Sequence, residues 1–407
     1  MSRLAVLLVA ASIGGGCVDY LGPGDIGSVR YFGEVRSTPA MPLPVLPPIS
    51  DREGNAYVLT GSRDLREVQA FTGQAGGGWS SGCSLHKGDD RGAHGWVGRS
   101  QDQAWYWSGD ALVEVSGETG SCSYVLDKDP ATGASIAFLG VVPSVRDAPS
   151  RTTVVALIQT PNDPSPFWVV VDLRTRRYTG LARFQPGFAS NVVVLGAGAT
   201  DDAGGGVMLV RYDAGGSSTI EARYVDADGR QIASAQVGGL DTAVEDSVLG
   251  FLAVSDGLAS GVTFDGKHVV FNEAGGAARA VAGMTASGVH VYDGKLWLVG
   301  VSGGRPVVAP LTGDGSMGSV QAWAASDRAQ GVLGGSLQVI DDRAAPRRLT
   351  KWSNSASAIG AFPFLSAATP HDYAQDTTLW VIAGPSYMAG GELRTQLALS
   401  PMGLSYP

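Results

Sequence analysis

MLVRYDAGGSSTIEARYVDADG, Met208 to Gly229, sets the pattern for the whole chain. One apolar run, Met208 to Tyr212, is followed by another, Ile220 to Val225, with glycines between them and the turn Asp226, Ala227, Asp228 and Gly229 after them. Short runs rich in β-formers, broken by glycine, read as antiparallel strands joined by hairpins, because Gly tolerates the positive φ that tight turns demand.

The same plan recurs on both sides. Upstream, Val154–Ile158 and Phe167–Val171 lead into Asp172, Leu173, Arg174 and Thr175, and Ala104–Trp107 with Ala111–Val115 end in Gly117, Glu118, Thr119 and Gly120. Ala56–Leu59 and Val68–Phe71 end in Thr72 and Gly73. Downstream, Val269–Phe271 precedes Glu273–Gly276, and Leu296–Val301 with Val307–Leu311 precede Thr312, Gly313, Asp314 and Gly315; Leu337–Ile340 and Leu379–Ile382 are less regular. The turns near residues 73, 120, 175, 229, 275 and 315 recur about every 40 to 55 residues, the period of one four-stranded sheet. No comparable segment carries an i, i+3, i+4 apolar stripe, so the fold class is all-β. One small sheet cannot bury both faces alone, whereas radial stacking of sheets buries all of them and leaves only short edges.

Composition agrees. Of 407 residues, 44% are hydrophobic and 16% charged, with 58 glycines and 21 prolines, which favours many short strands over helices. The formal charge of −9 leaves no electrostatic footprint for nucleic acid and no basic patch for anionic lipid.

The turns Asp172–Thr175 and Asp226–Gly229 resemble the hairpin between the last two strands of divergent, quinoprotein-like β-propeller blades, a resemblance that spans roughly residues 45–402. It implies a β-propeller of four-stranded blades, seven favoured within a range of six to eight. There is no Trp-Asp signature and no regular Gly-Gly pair, so no activity is inherited. The domain is read as residues 51–407. Ser28–Arg36 alternates Val29, Tyr31 and Val35 against Arg30, Glu34 and Arg36 and reads as a strand. Glu392–Ser400 reads as a third strand with little chain left for a fourth, so the early strand is expected to close the ring beside it. The prolines at 39, 42, 44, 47 and 48 make the rest of 28–50 an extended connector.

The chain begins with Arg3, an apolar run from Leu4 to Ile13, then Gly14, Gly15, Gly16 and Cys17. This is the plan of a signal peptide, residues 1–16, and the run is far short of the roughly 20 residues of a spanning helix. Ile13–Cys17 resembles the lipobox of bacterial lipoproteins, with Gly14 where an aliphatic residue is usual. The resemblance implies lipidation of Cys17, a tether over 17–27, and attachment to the bacterial cell envelope, the outer membrane being the favoured site. Ten extended residues reach at most about 35 Å, so the folded body sits near the membrane.

Assigning Cys17 to lipid leaves Cys83 and Cys122 as an even pair in an oxidising compartment, and a disulfide is expected. Closing a loop of about 40 residues stabilises by roughly 4 kcal/mol in the chain-entropy model.

No catalytic set is legible and no cofactor is implied. His86, His94, His268, His290 and His371 are scattered without metal-ligand spacing, so no metal is assigned. His371 beside Asp372 reads as a surface turn. The carboxylates Asp201 and Asp202, and Asp226 with Asp228, read as turn chemistry, and Gly76–Gly78 and Gly204–Gly206 as hairpin tips. Trp79, Trp96, Trp105 and Trp107 concentrate near the expected disulfide and form the candidate ligand face, with Gly76–Gly98 as its braced loop. Packing between sheets is the competing role for these rings. Two functions follow: a non-catalytic scaffold or binding module for an envelope protein or glycan, or a propeller-class polysaccharide hydrolase or lyase.

Overall fold

The computed structural model describes residues 31–37, 49–50 and, from 55 to 402, most of the chain; side chains are described for most of 55–322 and the strand backbone alone beyond. The expected signal peptide, Cys17 and the tether lie outside the described residues. Thirty-two strands and no helix run through the described residues.

β1 (Tyr31–Ser37) precedes a first unit of β2 (Ile49–Ser50), β3 (Ala56–Gly61) and β4 (Val68–Gly73). The second unit holds β5 (Ala93–Arg99), β6 (Gln103–Ser108), β7 (Ala111–Ser116) and β8 (Cys122–Tyr124). The third holds β9 (Ala137–Val141), β10 (Thr153–Thr160), β11 (Asp163–Asp172) and β12 (Arg177–Arg183), and the fourth β13 (Ser190–Ala199), β14 (Gly206–Ala214), β15 (Ser217–Val225) and β16 (Gln231–Gly238). After β17 (Gly250–Phe251) come the fifth unit, β18 (Ala253–Ser255), β19 (Leu258–Val262), β20 (His268–Asn272) and β21 (Gly275–Arg279), and the sixth, β22 (Thr285–Tyr292), β23 (Lys295–Ser302), β24 (Arg305–Pro310) and β25 (Gln321–Ala322). β26 (Arg328–Leu333), β27 (Ser336–Asp341), β28 (Arg347–Trp352) and β29 (Ser357–Phe362) form the seventh. β30 (Ala367–His371), β31 (Thr378–Ala389) and β32 (Glu392–Met402) form the eighth, in which β1 is the fourth strand, running antiparallel to β32 from Tyr31↔Leu399 to Ser37↔Leu393.

Within each unit neighbouring strands pair antiparallel in chain order. The Met208–Val225 hairpin is β14–β15, in full register from Gly206↔Val225 to Ala214↔Ser217. Its two loop residues, Gly215 and Gly216, have φ of 59° and 84°, the left-handed values that a two-residue hairpin needs at both positions.

Burial gives the radial order. β13 is buried from Val192 to Gly198, whereas β16 alternates and leaves most of its side chains exposed. The first strand of one unit touches the first strand of the next, β9 against β13, β13 against β18, β18 against β22, β22 against β26 and β26 against β30. First strands therefore line the centre and last strands the rim, and β1 lies against β4 to join the ends. Consecutive antiparallel sheets packed side by side about their first strands are a β-propeller.

Two features depart from simple repetition. β17 pairs parallel with β13 and also lies against β5 of the second unit, so the chain occupies the centre of the ring before β18 begins. At the rim, β16 pairs parallel with β21 through Val237↔Gly276 and Gly238↔Ala277, merging units four and five into one nine-stranded sheet. The turn spacing favours seven units, and the described strands group into eight antiparallel sets, two of them merged in the nine-stranded sheet. The difference lies in the less regular chain after residue 330, where β26–β29 and β30–β32 with β1 form two separate sheets.

The core lies between units. Trp105, Trp107, Phe138, Trp168 and Val194 belong to one buried cluster across units two to four, and Leu195, Leu209, Ala259 and Phe271 to another across four and five. Each fully buried large apolar side chain contributes about 1.5–3 kcal/mol. Close approach is demanded locally: a Cβ at Gly140 of β9 would fall 2.7 Å from Val194 and 2.8 Å from the Met208 sulfur.

Candidate functional site

Cys83 and Cys122 form a disulfide, with Cα atoms 5.7 Å apart. Cys83 sits opposite Ala70 of β4, exchanging backbone bonds of 2.8 and 2.9 Å, and Cys122 belongs to β8, so the bond ties the rims of units one and two.

For two of the four candidate tryptophans, Trp105 and Trp107, this geometry corrects the ligand-face reading. Trp105 and Trp107 are buried, at 0% and 1% exposure. They share one face of β6, as their spacing implies, but that face packs on unit three; the Trp107 Nε1–H donates to the carbonyls of Gly109 at 2.9 Å and Phe138 at 3.2 Å. Ala104 and Tyr106, on the opposite face, pack against Tyr57 and Leu59 of unit one. A strand buried on both faces has no alternation to reveal it, and two indoles in such a strand are interior packing. Trp96 meets Tyr57 and Tyr106 edge-on at centroid distances of 6.1 and 5.8 Å. Trp79, His86 and much of Gly76–Gly98 lie outside the described residues, as do Asp201, Asp202 and Asp372.

Charged side chains that reach the interior join one unit to the next. Glu114 of β7 is nearly buried and accepts from the Trp105 Nε1–H at 3.3 Å, the Gln103 amide at 3.2 Å and the Arg176 guanidinium at 3.0 Å. Arg176 lies in the β11–β12 turn, at a φ of 54°, and also donates to the Ser123 hydroxyl at 3.0 Å. Tyr178 of β12 donates to Asp129 at 3.1 Å; the Ala131 amide first, and then this hydroxyl, holds the Asp129 carboxyl below its usual range. Between units three and four, the buried Arg223 lies 5.0 Å from the Phe184 ring and 5.5 Å from the Tyr212 ring. It bonds Gln231 at 3.1 Å and the Tyr212 hydroxyl at 3.3 Å and pairs with Glu221.

Unit five holds a Ser–His pair missed in the sequence reading because only the β19–β20 register, Val262↔His268 and Ser260↔Val270, brings the two together. The Ser260 hydroxyl lies 2.8 Å from His268 Nε2 and donates to the Val269 carbonyl at 2.9 Å. A hydroxyl has one proton, so while it is given to the Val269 carbonyl, Ser260 accepts from the imidazole N–H. Burial first, and the Arg279 charge second, push His268 down to about 4.

The acidic turns act locally. Asp226 accepts from the amides of Asp228 at 3.0 Å and Arg230 at 2.8 Å, and Asp172 from those of Arg174 and Thr175 at 3.0 and 2.9 Å. Among the described residues, no three His, Cys, Asp or Glu side chains gather as metal ligands. A shallow recess of about 80 Å³ between units five and six, bordered by Asn272, Arg279 and Asp314, is well below the roughly 300 Å³ at which ligand pockets begin.

No protein-family model matches the chain, and no curated protein matches it. Among solved structures it is similar to the β-propeller domain of the Trilobed protease from Pyrococcus furiosus, at 8% identity over 89% of this chain and 94% of that one, TM-score 0.39. It is similar to oligogalacturonate lyase from Vibrio parahaemolyticus at 11% identity over 94% and 100% of the two chains, TM-score 0.40. A third likeness, to the Dos1 propeller, has 11% identity over 84% and 74%, TM-score 0.40. The propeller assignment here rests on strand order and burial.

Proposed function

We propose that this chain is an eight-bladed propeller lipoprotein of the bacterial cell envelope, tethered through Cys17 and acting as a non-catalytic scaffold or binding module for protein or glycan. One observation supports the binding role most directly: the buried charged groups are engaged by protein partners, Glu114 across units by Arg176, and Arg223 by Glu221 of its own strand and by the Phe184 and Tyr212 rings. The Glu114–Arg176 pair and the Arg223–Phe184 contact tie neighbouring units together, which favours a rigid platform. The two-residue β17 lies beside the inner strands β13 and β5, and in this reading rims and loops are the recognition surface.

The test is to express the full chain in a bacterial host, fractionate the envelope, and treat it with a membrane-impermeant crosslinker beside Cys17→Ser. The expected result is a diacylated Cys17 N-terminus by mass spectrometry and a crosslinked envelope partner or glycan, with the variant released into the soluble fraction. An unlipidated mature N-terminus overturns the tether, and turnover of a polysaccharide substrate overturns the non-catalytic role.

A further inference from the structure

Among the described residues, two large hydrophobic side chains stand in solvent, Phe188 at 72% and Ile232 at 61% exposure. A single exposed apolar residue ordinarily requires no explanation. Phe188 differs because its loop is pinned around it. Phe184 and Ala189 are buried on either side; the Phe184 amide donates to the Pro166 carbonyl at 2.8 Å, the Ala189 amide to that of Pro186 at 2.9 Å, and the Ser165 hydroxyl to that of Gly187 at 3.4 Å. The inward position is already taken by Phe184, whose ring packs edge-on to Tyr212 at 5.5 Å. The chain thus holds one aromatic ring outside and a second inside.

Polar groups flank that ring on both sides. Toward unit three, Arg183 pairs with Asp163 at 2.7 Å and lies 5.0 Å over the Phe167 ring, with Ser165 linking this group to Gly187. Toward unit four, Asp213 is the register partner of Ser190 and accepts from the Asn191 amide at 2.7 Å and from the Ser218 hydroxyl, with Arg211 at 3.5 Å. Two residues of chain span at most about 7 Å, so Phe188 stays that close to Ser190. Asn191 holds a φ of 50° while making its bond to Asp213.

An isolated ring beside side chains that both donate and accept matches a pyranose, which offers a C–H face for stacking and hydroxyls that both donate and accept. A protein partner calls for a wider apolar patch at the core of its interface. A polyanion finds Arg183 and Arg211 each already facing a carboxylate. We propose that the end of units three and four around Phe188 binds a neutral oligosaccharide, stacking a pyranose on Phe188 and hydrogen-bonding its hydroxyls to Asn191, Asp213 and Ser218. This site rests on the binding-module reading and names its ligand class.

The experiment uses the full chain on an array of neutral and acidic oligosaccharides, followed by calorimetric titration with cellohexaose, mannohexaose and N-acetylchitohexaose. The expected result is binding of a neutral oligosaccharide, weakened about tenfold in Phe188→Ala, the scale of one aromatic stacking contact. Asn191→Gly, which keeps the positive φ accessible, weakens it severalfold, and Ile232→Ala leaves it unchanged. The site is overturned if no neutral oligosaccharide binds, if Phe188→Ala binds as the parent does, or if Ile232→Ala loses as much as Phe188→Ala. A protein crosslinked through Phe188 and not displaced by sugar overturns the glycan site while leaving the binding-module reading standing.

Discussion

Units two and three and units four and five are joined by opposite means. At the first junction the contact is made by side chains: Glu114 reaches Arg176 at 3.0 Å, Tyr178 reaches Asp129 at 3.1 Å, and Trp107 bonds the Phe138 carbonyl at 3.2 Å. On the neighbouring side of unit two, the Cys83–Cys122 bond adds a covalent tie. At the second junction the backbone does the joining, through the parallel pairing of β16 with β21, over a core of Leu195, Leu209 and Phe271, while unit five keeps its buried His268 neutral. Side-chain ties answer to reduction, charge removal and salt. A shared backbone ladder over an apolar core answers to packing and to buried protonation.

The largest effect comes from removing packing at the side-chain junction. Trp105→Ala should cost about 4 kcal/mol in urea unfolding, the range of buried aromatic truncation, and Phe271→Ala at the ladder junction a similar amount. The two should differ in coupling. Trp105→Ala combined with Glu114→Ala should be non-additive because the residues share a hydrogen bond at 3.3 Å, whereas Phe271→Ala with Glu114→Ala should add. Equal coupling in both pairs would erase the distinction between the junctions.

Next comes the disulfide. Cys83→Ser with Cys122→Ser should lose about 3 kcal/mol, within the usual range for a native bridge, and hydrogen exchange should rise in β4 and β8 before β16 and β21. If β16 and β21 open first, the covalent tie is not what holds units one and two.

The smallest effect sharpens the comparison by pH. The folded pKa of His268, about 4, lies below the usual value near 6.5, so the unfolded chain takes the proton first. The resulting stability is fully present above about pH 6.5 and is lost progressively as pH falls toward 4. Facing His268 are Ser260 from β19 and Arg279 from β21, the latter opposing a second positive charge. His268→Gln should flatten stability between pH 7 and 4.5 in unfolding titrations; an unchanged slope would assign it to another group.

Much of the architecture is legible from short-range pattern. The glycines of the β14–β15 loop, the Asp-initiated turns and the runs between them specify strands and hairpins, since these depend on φ tolerance and side-chain alternation within a few residues. Ser28–Arg36 reads as a strand from the same alternation. The candidate face was not legible, because β6 is buried on both sides and Trp105 and Trp107 look identical whether they face solvent or another sheet. Phe188 carries no distinguishing sequence signal either: Phe184 and Phe188 flank the same Pro-Gly, and only the fold sends one inward and one outward.

By itself the sequence determines an all-β chain of recurring hairpins, because alternation and turn chemistry act locally and composition acts through simple counting. The tertiary structure alone decides which units meet, that β17 occupies the centre, that β16 joins β21, and that Glu114 finds an arginine 62 residues away. Those outcomes depend on which apolar faces and buried charges are brought together at long sequence separation, where loop closure erases any local signature.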